Sequence, residues 1–207
     1  MYETAQQTKD PLAGDQPLDL SWIIRPAEVP DVARIKELID PHVPTGVMLP
    51  KTLSNLYETV RDFVVCVEEE RVIGAGALHI LWEDLAEIRS LAVDTEHSGR
   101  GIGKAIGKTL LAEAERLGVG RVFALTYATG YFLSFGFRVI DKSLLPRKVW
   151  SDCVNCHKFP MCDEVAVIKD FRPFPDGPVG PPPELPQVID LERLVPELRG
   201  LKVIGPS

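Results

Sequence analysis

Apolar residues recur along the chain with two different periods, and each change of period marks a predicted element. Trp22, Ile23, Ile24 and Arg25 read as a strand, after which Pro30 and Asp31 open a helix that gathers Val32, Ile35, Leu38 and Ile39 on one face. A loop punctuated by Pro41, Pro44 and Pro50 leads to a second helix over 53–60. The continuous apolar run at 63–67 predicts a strand; a polar turn at 68–71 returns it through 72–80, and 87–93 makes a third strand. Three such neighbours form an antiparallel meander. From 101 to 117, Ile102, Ile106, Leu110, Ala114 and Leu117 recur at helical spacing, and Gly118 supplies the stop. Strands at 121–126, 136–140 and 164–169 follow, with a short helix at 130–135 between the first two. The predicted fold is α/β, with a mixed, mostly antiparallel sheet flanked by helices.

Neither end shares this pattern. Residues 1–20 lack periodicity, and beyond Phe171 the prolines at 173, 175, 178 and 181–183 leave few N–H donors for any ladder. The expected organisation is a disordered N-terminal tail over 1–20, one domain over 21–171, and a Pro-rich C-terminal tail over 172–207. The Leu- and Val-rich stretch at 189–201 is a candidate short helix within that tail. A chain of 207 residues suits one such domain. It has no run of about 18 apolar residues that could cross a bilayer, and its first residues lack the apolar stretch of a signal peptide, so a cytoplasmic location is expected. A net charge of −7 argues against nucleic acid as the main partner, because such binding rests on Lys and Arg neutralising phosphates. A small molecule is the expected partner, and a homodimer is left open.

Candidate chemistry concentrates where the strand at 87–93 runs into Ser98-Gly99-Arg100-Gly101-Ile102-Gly103-Lys104. N–H groups at a helix start have no intrahelical partner, and the helix dipole adds positive charge, so a glycine turn there is an anion site. Arg100 and Lys104 flank it and could add charge to the same anion. An ATP-binding loop is excluded, since Gly103-Lys104 is followed by Ala105 where Ser or Thr is needed. The dinucleotide fingerprint fails on spacing and on the meander that precedes the turn. Taken alone, such a glycine run can also do no more than turn the chain.

Leu91-Ala92-Val93, the glycine turn and Tyr131-Phe132-Leu133-Ser134-Phe135-Gly136-Phe137 together resemble the GCN5-related N-acetyltransferase (GNAT) pattern over about 22–170. The resemblance implies acetyl-CoA as cosubstrate, with Leu91, Ala92, Val93, Ser98, Gly99, Arg100, Gly101, Ile102, Gly103 and Lys104 as its contacts. Ser98 stands where the family usually has Gln or Arg. Met48-Leu49-Pro50-Lys51, Ala75-Gly76-Ala77-Leu78-His79, 86–93, Leu125-Thr126, Leu145-Pro146-Arg147-Lys148 and Cys153-Val154-Asn155-Cys156 are similar to the acetyltransferase domain of N-acetylglutamate synthases, which begin arginine synthesis. That likeness implies a short form without the kinase-like domain that carries arginine feedback, acting on L-glutamate.

An ammonium is not nucleophilic until it loses a proton, and Glu87 is the candidate base. The resemblance gives the N–H of Leu91 or Val93 to the developing oxyanion. The family's usual thiolate acid, a Tyr, is replaced by Phe132, with Tyr131 one step away; Thr126 is the alternative donor and Tyr127 the reserve. Two substrate carboxylates call for cations, and Lys51, Arg89 and Arg147 are the candidates, Arg89 sharing a strand face with Glu87. Competing readings are another acceptor amine, such as a peptide N-terminus or a polyamine, and a non-catalytic acyl-CoA-binding module. Cys66 is expected to pack as a small apolar residue. Cys153, Cys156 and Cys162 with His157 have the ligand types for zinc at compressed spacing, so metal, reduced thiols and a redox pair all stay open.

Overall fold

Phe63, Val64, Val65 and Cys66 are buried without a break, because the strand they form is covered on both faces. In the computed structural model, which describes residues 21–145 and 161–173, Val64 and Cys66 pack toward one helix while Phe63 and Val65 pack toward another pair. The expected tails, apart from residues 172 and 173, and Arg147, Lys148, Cys153, Cys156 and His157 lie outside the described residues.

The strands are β1 (Trp22–Pro26), β2 (Phe63–Glu68), β3 (Arg71–Trp82), β4 (Leu85–Val93), β5 (Arg121–Thr126), β6 (Arg138–Ile140) and β7 (Val165–Asp170). The helices are α1 (Val32–Ile39), α2 (Leu53–Glu58), α3 (Ile102–Arg116) and α4 (Thr129–Leu133). The strands make one seven-stranded sheet in the order β1-β2-β3-β4-β5-β7-β6. All pairings are antiparallel except β4 with β5, which is parallel. Glu69 and Glu70 take positive φ in the β2–β3 hairpin, the left-handed pair that matches the twist of its strands.

α1 and α2 cover one face. Val32, Ile35, Leu38 and Ile39, the four positions expected on the apolar face of α1, are all buried there with Leu56 of α2. The expected second helix stops at Glu58, and Val60–Asp62 tightens into a 3-10 turn that delivers Asp62 to the sheet. α3 covers the other face through Ile102, Ile106, Leu110 and Ala114. Its close seat depends on Gly76, where a Cβ would come within 2.8 Å of Ile106 Cγ2. Leu117, expected on the buried side of α3, is instead its C-cap and 50% exposed, because Gly118 turns the chain through φ 78° immediately afterwards.

One irregularity in β4 bears on function. Arg89 pairs with Ala77 and Ala92 with Ala75, so Ser90 and Leu91 together oppose Gly76, which is a β-bulge. Ser90 adopts φ 53°, a region L-residues other than Asn and Asp seldom occupy. Denaturant unfolding should therefore rank Ser90→Gly above wild type and Ser90→Val below it by about 1–2 kcal/mol. Equal stability of all three proteins would mean that the bulge is not held in solution.

Candidate active site

β4 and β5 pair at only three positions, Leu85 with Arg121, Ala86 with Val122 and Glu87 with Phe123. Both strands continue beyond that point, β4 to Val93 and β5 to Thr126, without pairing again. The sheet thus splits into a wedge that opens toward their C-terminal ends. Main-chain groups of β4 that point away from β3 face this opening, and the bulge at Ser90 turns the strand within it.

The same opening receives the start of α3. Gly99 and Gly101 both have φ 80°, and a Cβ on either would meet nothing within 4 Å. Gly101 is the N-cap; no side chain caps the helix there and no acidic residue lies in its first turn. Lys104 occupies that turn instead, where a cation opposes the helix dipole unless an anion is present. A Cβ at Gly103 would lie 3.7 Å from Val93 Cγ2 and 3.8 Å from Leu91 Cδ2, so the first turn sits directly over the end of β4. Tyr131 of α4 donates its hydroxyl to the Gly103 carbonyl at 2.7 Å, tying the far wall of the wedge to the turn. Burial pushes the Tyr131 phenol well above its ordinary range, so it stays protonated and committed to that bond. Phe132 is a core residue, buried edge-to-face against Phe137 at 5.2 Å.

Arg100 points elsewhere than the expected anion. Its guanidinium meets both carboxylate oxygens of Glu68, at 3.0 and 2.7 Å, and donates to Ser21 Oγ at 2.7 Å. This pairing anchors the glycine turn to the ends of β1 and β2, and the Arg100 hydrogen bonds hold the Glu68 carboxyl at about 2, below its ordinary 4.5. A carboxyl lowered by folding contributes stability that is fully present above about 4.5 and fades as pH falls toward about 2. Wild type should therefore be more stable than Glu68→Gln near neutral pH, with the gap closing across that acid window. A gap that persists unchanged to the acid end would remove the Glu68–Arg100 pair as its source.

Glu87 lies at the closed end of the wedge, on the α1 and α2 side of the sheet. His79 is its cross-strand partner on β3, and Ala77 partners Arg89, so all four share one face. Arg89 Nη1 is 3.9 Å from Glu87 Oε2, and Arg89 Nη2 is 3.9 Å from Asp62 Oδ2. The same Asp62 oxygen lies 2.7 Å from His79 Nδ1. Among the described residues the candidate site thus gathers two acids, an arginine and a histidine. Its two unforeseen members are Asp62 and His79, which the register of β3 on β4 and the turn after α2 bring in.

The remaining expected residues are spread more widely. Lys51 precedes α2, and its carbonyl accepts from Lys36 of α1 at 3.2 Å, which keeps the loop on the Glu87 side. Thr126 is buried at the end of β5 in register with Val165, on the α3 side and across the sheet from Glu87; its Oγ1 accepts the Ala128 N–H at 2.9 Å. The Tyr127 hydroxyl donates to Asp163 at 2.5 Å. Ser98 closes a turn onto the Thr95 carbonyl at 3.2 Å. Cys66 is fully buried, and Cys162 is half-buried with Sγ 3.5 Å from Glu164 Oε2.

Residues 35–137 match the acetyltransferase (GNAT) family. The chain is 38% identical over 146 residues to an uncharacterized N-acetyltransferase of Chlorobaculum tepidum, covering 70% of this chain and 94% of that protein. It is 40% identical over 141 residues to an amino-acid acetyltransferase of Mycobacterium tuberculosis, covering 67% of this chain and 80% of that one. Among solved structures, Rv2747 from Mycobacterium tuberculosis, in complex with CoA and NLQ, aligns with a TM-score of 0.64 and 32% identity over 72% of this chain and 99% of its own. With identity at this level running through nearly the whole of the first relative, and with the wedge and glycine turn inside the matched residues, the chain belongs to the GNAT acetyltransferase family.

Proposed function

We propose that the protein transfers the acetyl group of acetyl-CoA to the α-amino group of L-glutamate. The observation that carries the reading is the wedge between β4 and β5 ending on the uncapped, acid-free first turn of α3. An extended thiol arm fits an opening lined by main-chain donors, and a pyrophosphate fits the end of a helix whose N–H groups lack side-chain partners. Main-chain N–H groups of 101–104 and the Lys104 ammonium hold the phosphates, with Ser98 and Gly99 shaping the approach. Arg100 acts through Glu68, by fixing the turn. Leu91, Ala92 and Val93 line the arm, and the N–H of Leu91 or Val93 receives the oxyanion as the carbonyl becomes tetrahedral.

Glu87 takes the proton that frees the amine for attack. Lys51, Arg89 and Arg147 supply cations for the substrate's carboxylates. Thr126 or Tyr127 protonates the leaving thiolate; Tyr131, whose hydroxyl is already given to Gly103, is a weaker choice. The name of the Mycobacterium tuberculosis relative, amino-acid acetyltransferase, supports an amino acid as acceptor. Glutamate rests on the likeness of 48–51 and 86–93 to N-acetylglutamate synthases, which would place the reaction at the start of arginine synthesis.

A second reading has its own support. Asp62 and Glu87 both flank Arg89, so the cluster offers two carboxylates to an incoming cation, and a polyamine would suit them. One experiment separates the two: thiol release from acetyl-CoA with L-glutamate, other amino acids, peptides and polyamines. Release dominated by L-glutamate supports the first reading, and release dominated by polyamines replaces it. Tight acetyl-CoA binding with no release from any amine would make the chain a binding module.

A further inference from the structure

We propose that His79, oriented by Asp62, is a proton-relay positioning residue that empties Glu87 after each turnover. This inference rests on the acetyl-transfer reading above. In that reaction the ammonium proton moves to the Glu87 carboxylate, the neutral nitrogen attacks the thioester carbon, and as the carbon–sulfur bond breaks the nitrogen gives up its second proton, which makes good the one donated to the departing thiolate. Glu87 is then left carrying a proton that it must lose before it can act again. Its side chain is only 17% exposed, with Arg89 alongside, so direct loss to bulk water is restricted.

His79 stands at the position that relieves this. It is directly opposite Glu87 on the neighbouring strand, where cross-strand side chains are close enough to interact. Its imidazole is 31% exposed, nearly twice as open as the Glu87 side chain. In the neutral imidazole the 2.7 Å bond to an Asp62 carboxylate, which only accepts, puts the hydrogen on Nδ1 and leaves Nε2 its lone pair. Among the described residues Nε2 meets no partner, so it is available to a carboxylic acid or a bridging water. The proton then passes from Glu87 to Nε2, giving an imidazolium beside the Asp62 carboxylate, and from there to solvent; Glu87 is restored as carboxylate and His79 as neutral imidazole.

Among the described residues, ion pairs link this pair to Asp62 from the turn before β2 and to Arg89 from β4. Arg89 lies 3.9 Å from each acid and remains a cation throughout, so the relay moves one proton without changing the charge of the cluster's other members. The bond to Asp62 engages only one ring nitrogen of His79. The histidine's register against Glu87 is what a relay requires.

The test is steady-state kinetics of His79→Ala, His79→Gln and Asp62→Asn at saturating acetyl-CoA and L-glutamate, with and without added imidazole. His79→Ala should lower kcat about tenfold or more and leave both KM values within about twofold, and imidazole free base should restore turnover in a saturable way. Asp62→Asn should fall between wild type and His79→Ala. His79→Gln, which keeps the size of the side chain, should lose turnover equally if the alanine variant folds poorly. Unchanged kcat, a loss confined to KM, or a loss that imidazole does not restore overturns the relay. A wild-type protein that turns over no amine overturns the acetyl-transfer reading instead, which keeps the two failures apart.

Discussion

Gly101→Ala is expected to weaken coenzyme A binding about tenfold to a hundredfold while costing the fold only about 1 kcal/mol, and Gly118→Ala is expected to cost the same stability with no effect on binding. The two glycines are matched. Each sits at one end of α3, with φ 80° and 78° respectively, and a Cβ on either meets nothing within 4 Å. Alanine at either position therefore bears the left-handed strain of an L-residue without any clash inside the protein. They differ only in what the empty space is for. At Gly118 it faces the end of a finished helix; at Gly101 it is the approach to N–H groups that no side chain caps. Charge-assisted hydrogen bonds are worth about 1.5–3 kcal/mol each, so a methyl group that holds a phosphate off even one of them gives a loss of the stated size. Calorimetric titration with coenzyme A, alongside denaturant unfolding of both variants, measures the two quantities. Equal loss of binding in both variants would mean that strain acts through the fold, and the turn would lose its role as the anion site.

The elements were readable because their signals are local. The apolar spacing from Ile102 to Ala114 gives α3, and the unbroken run from Phe63 to Cys66 gives a strand buried on both faces. The Gly99–Gly103 turn was legible for the same reason, since a glycine run before a helical period is a signal between neighbours in sequence. What could not be read was pairing at a distance. Nothing in residues 121–126 says that β5 lies parallel to β4 for three positions only, nor that β7 enters between β5 and β6, yet the wedge is a product of that register. The bulge at Ser90 leaves no mark in composition, because a serine at positive φ is held by its surroundings and not by its own preference. Arg100 illustrates the same limit at the level of one side chain. Beside a glycine turn it suggests a phosphate ligand, and only the β2 hairpin shows Glu68 already holding it. His79 and Asp62 were hidden for the same reason, being 17 residues apart in sequence and joined through the β2–β3 hairpin.

Glu87→Gln is expected to reduce kcat for acetyl transfer about a hundredfold or more, with coenzyme A affinity and thermal midpoint close to wild type. Glutamine preserves the shape of the side chain and the hydrogen-bonding reach of one oxygen, but its amide cannot accept the ammonium proton at any pH the protein survives. The fold tolerates the change because Glu87 meets Arg89 only at 3.9 Å and Arg89 keeps Asp62 at the same distance, so no buried cation is stranded. Coenzyme binding is unaffected because the turn and the C-terminal half of β4 lie beyond the last residue at which β4 and β5 pair, which is Glu87 itself. The decisive feature is the dependence on the acceptor. Free hydroxylamine or a weakly basic amine, which reaches the site already neutral, should recover much of the lost rate in Glu87→Gln, because it needs no base before attack. If the variant is equally slow with such acceptors, Glu87 orients the substrate and does not deprotonate it; if the variant turns over L-glutamate at the wild-type rate, the base is another group, and His79, already facing the same point of the wedge, becomes the first candidate.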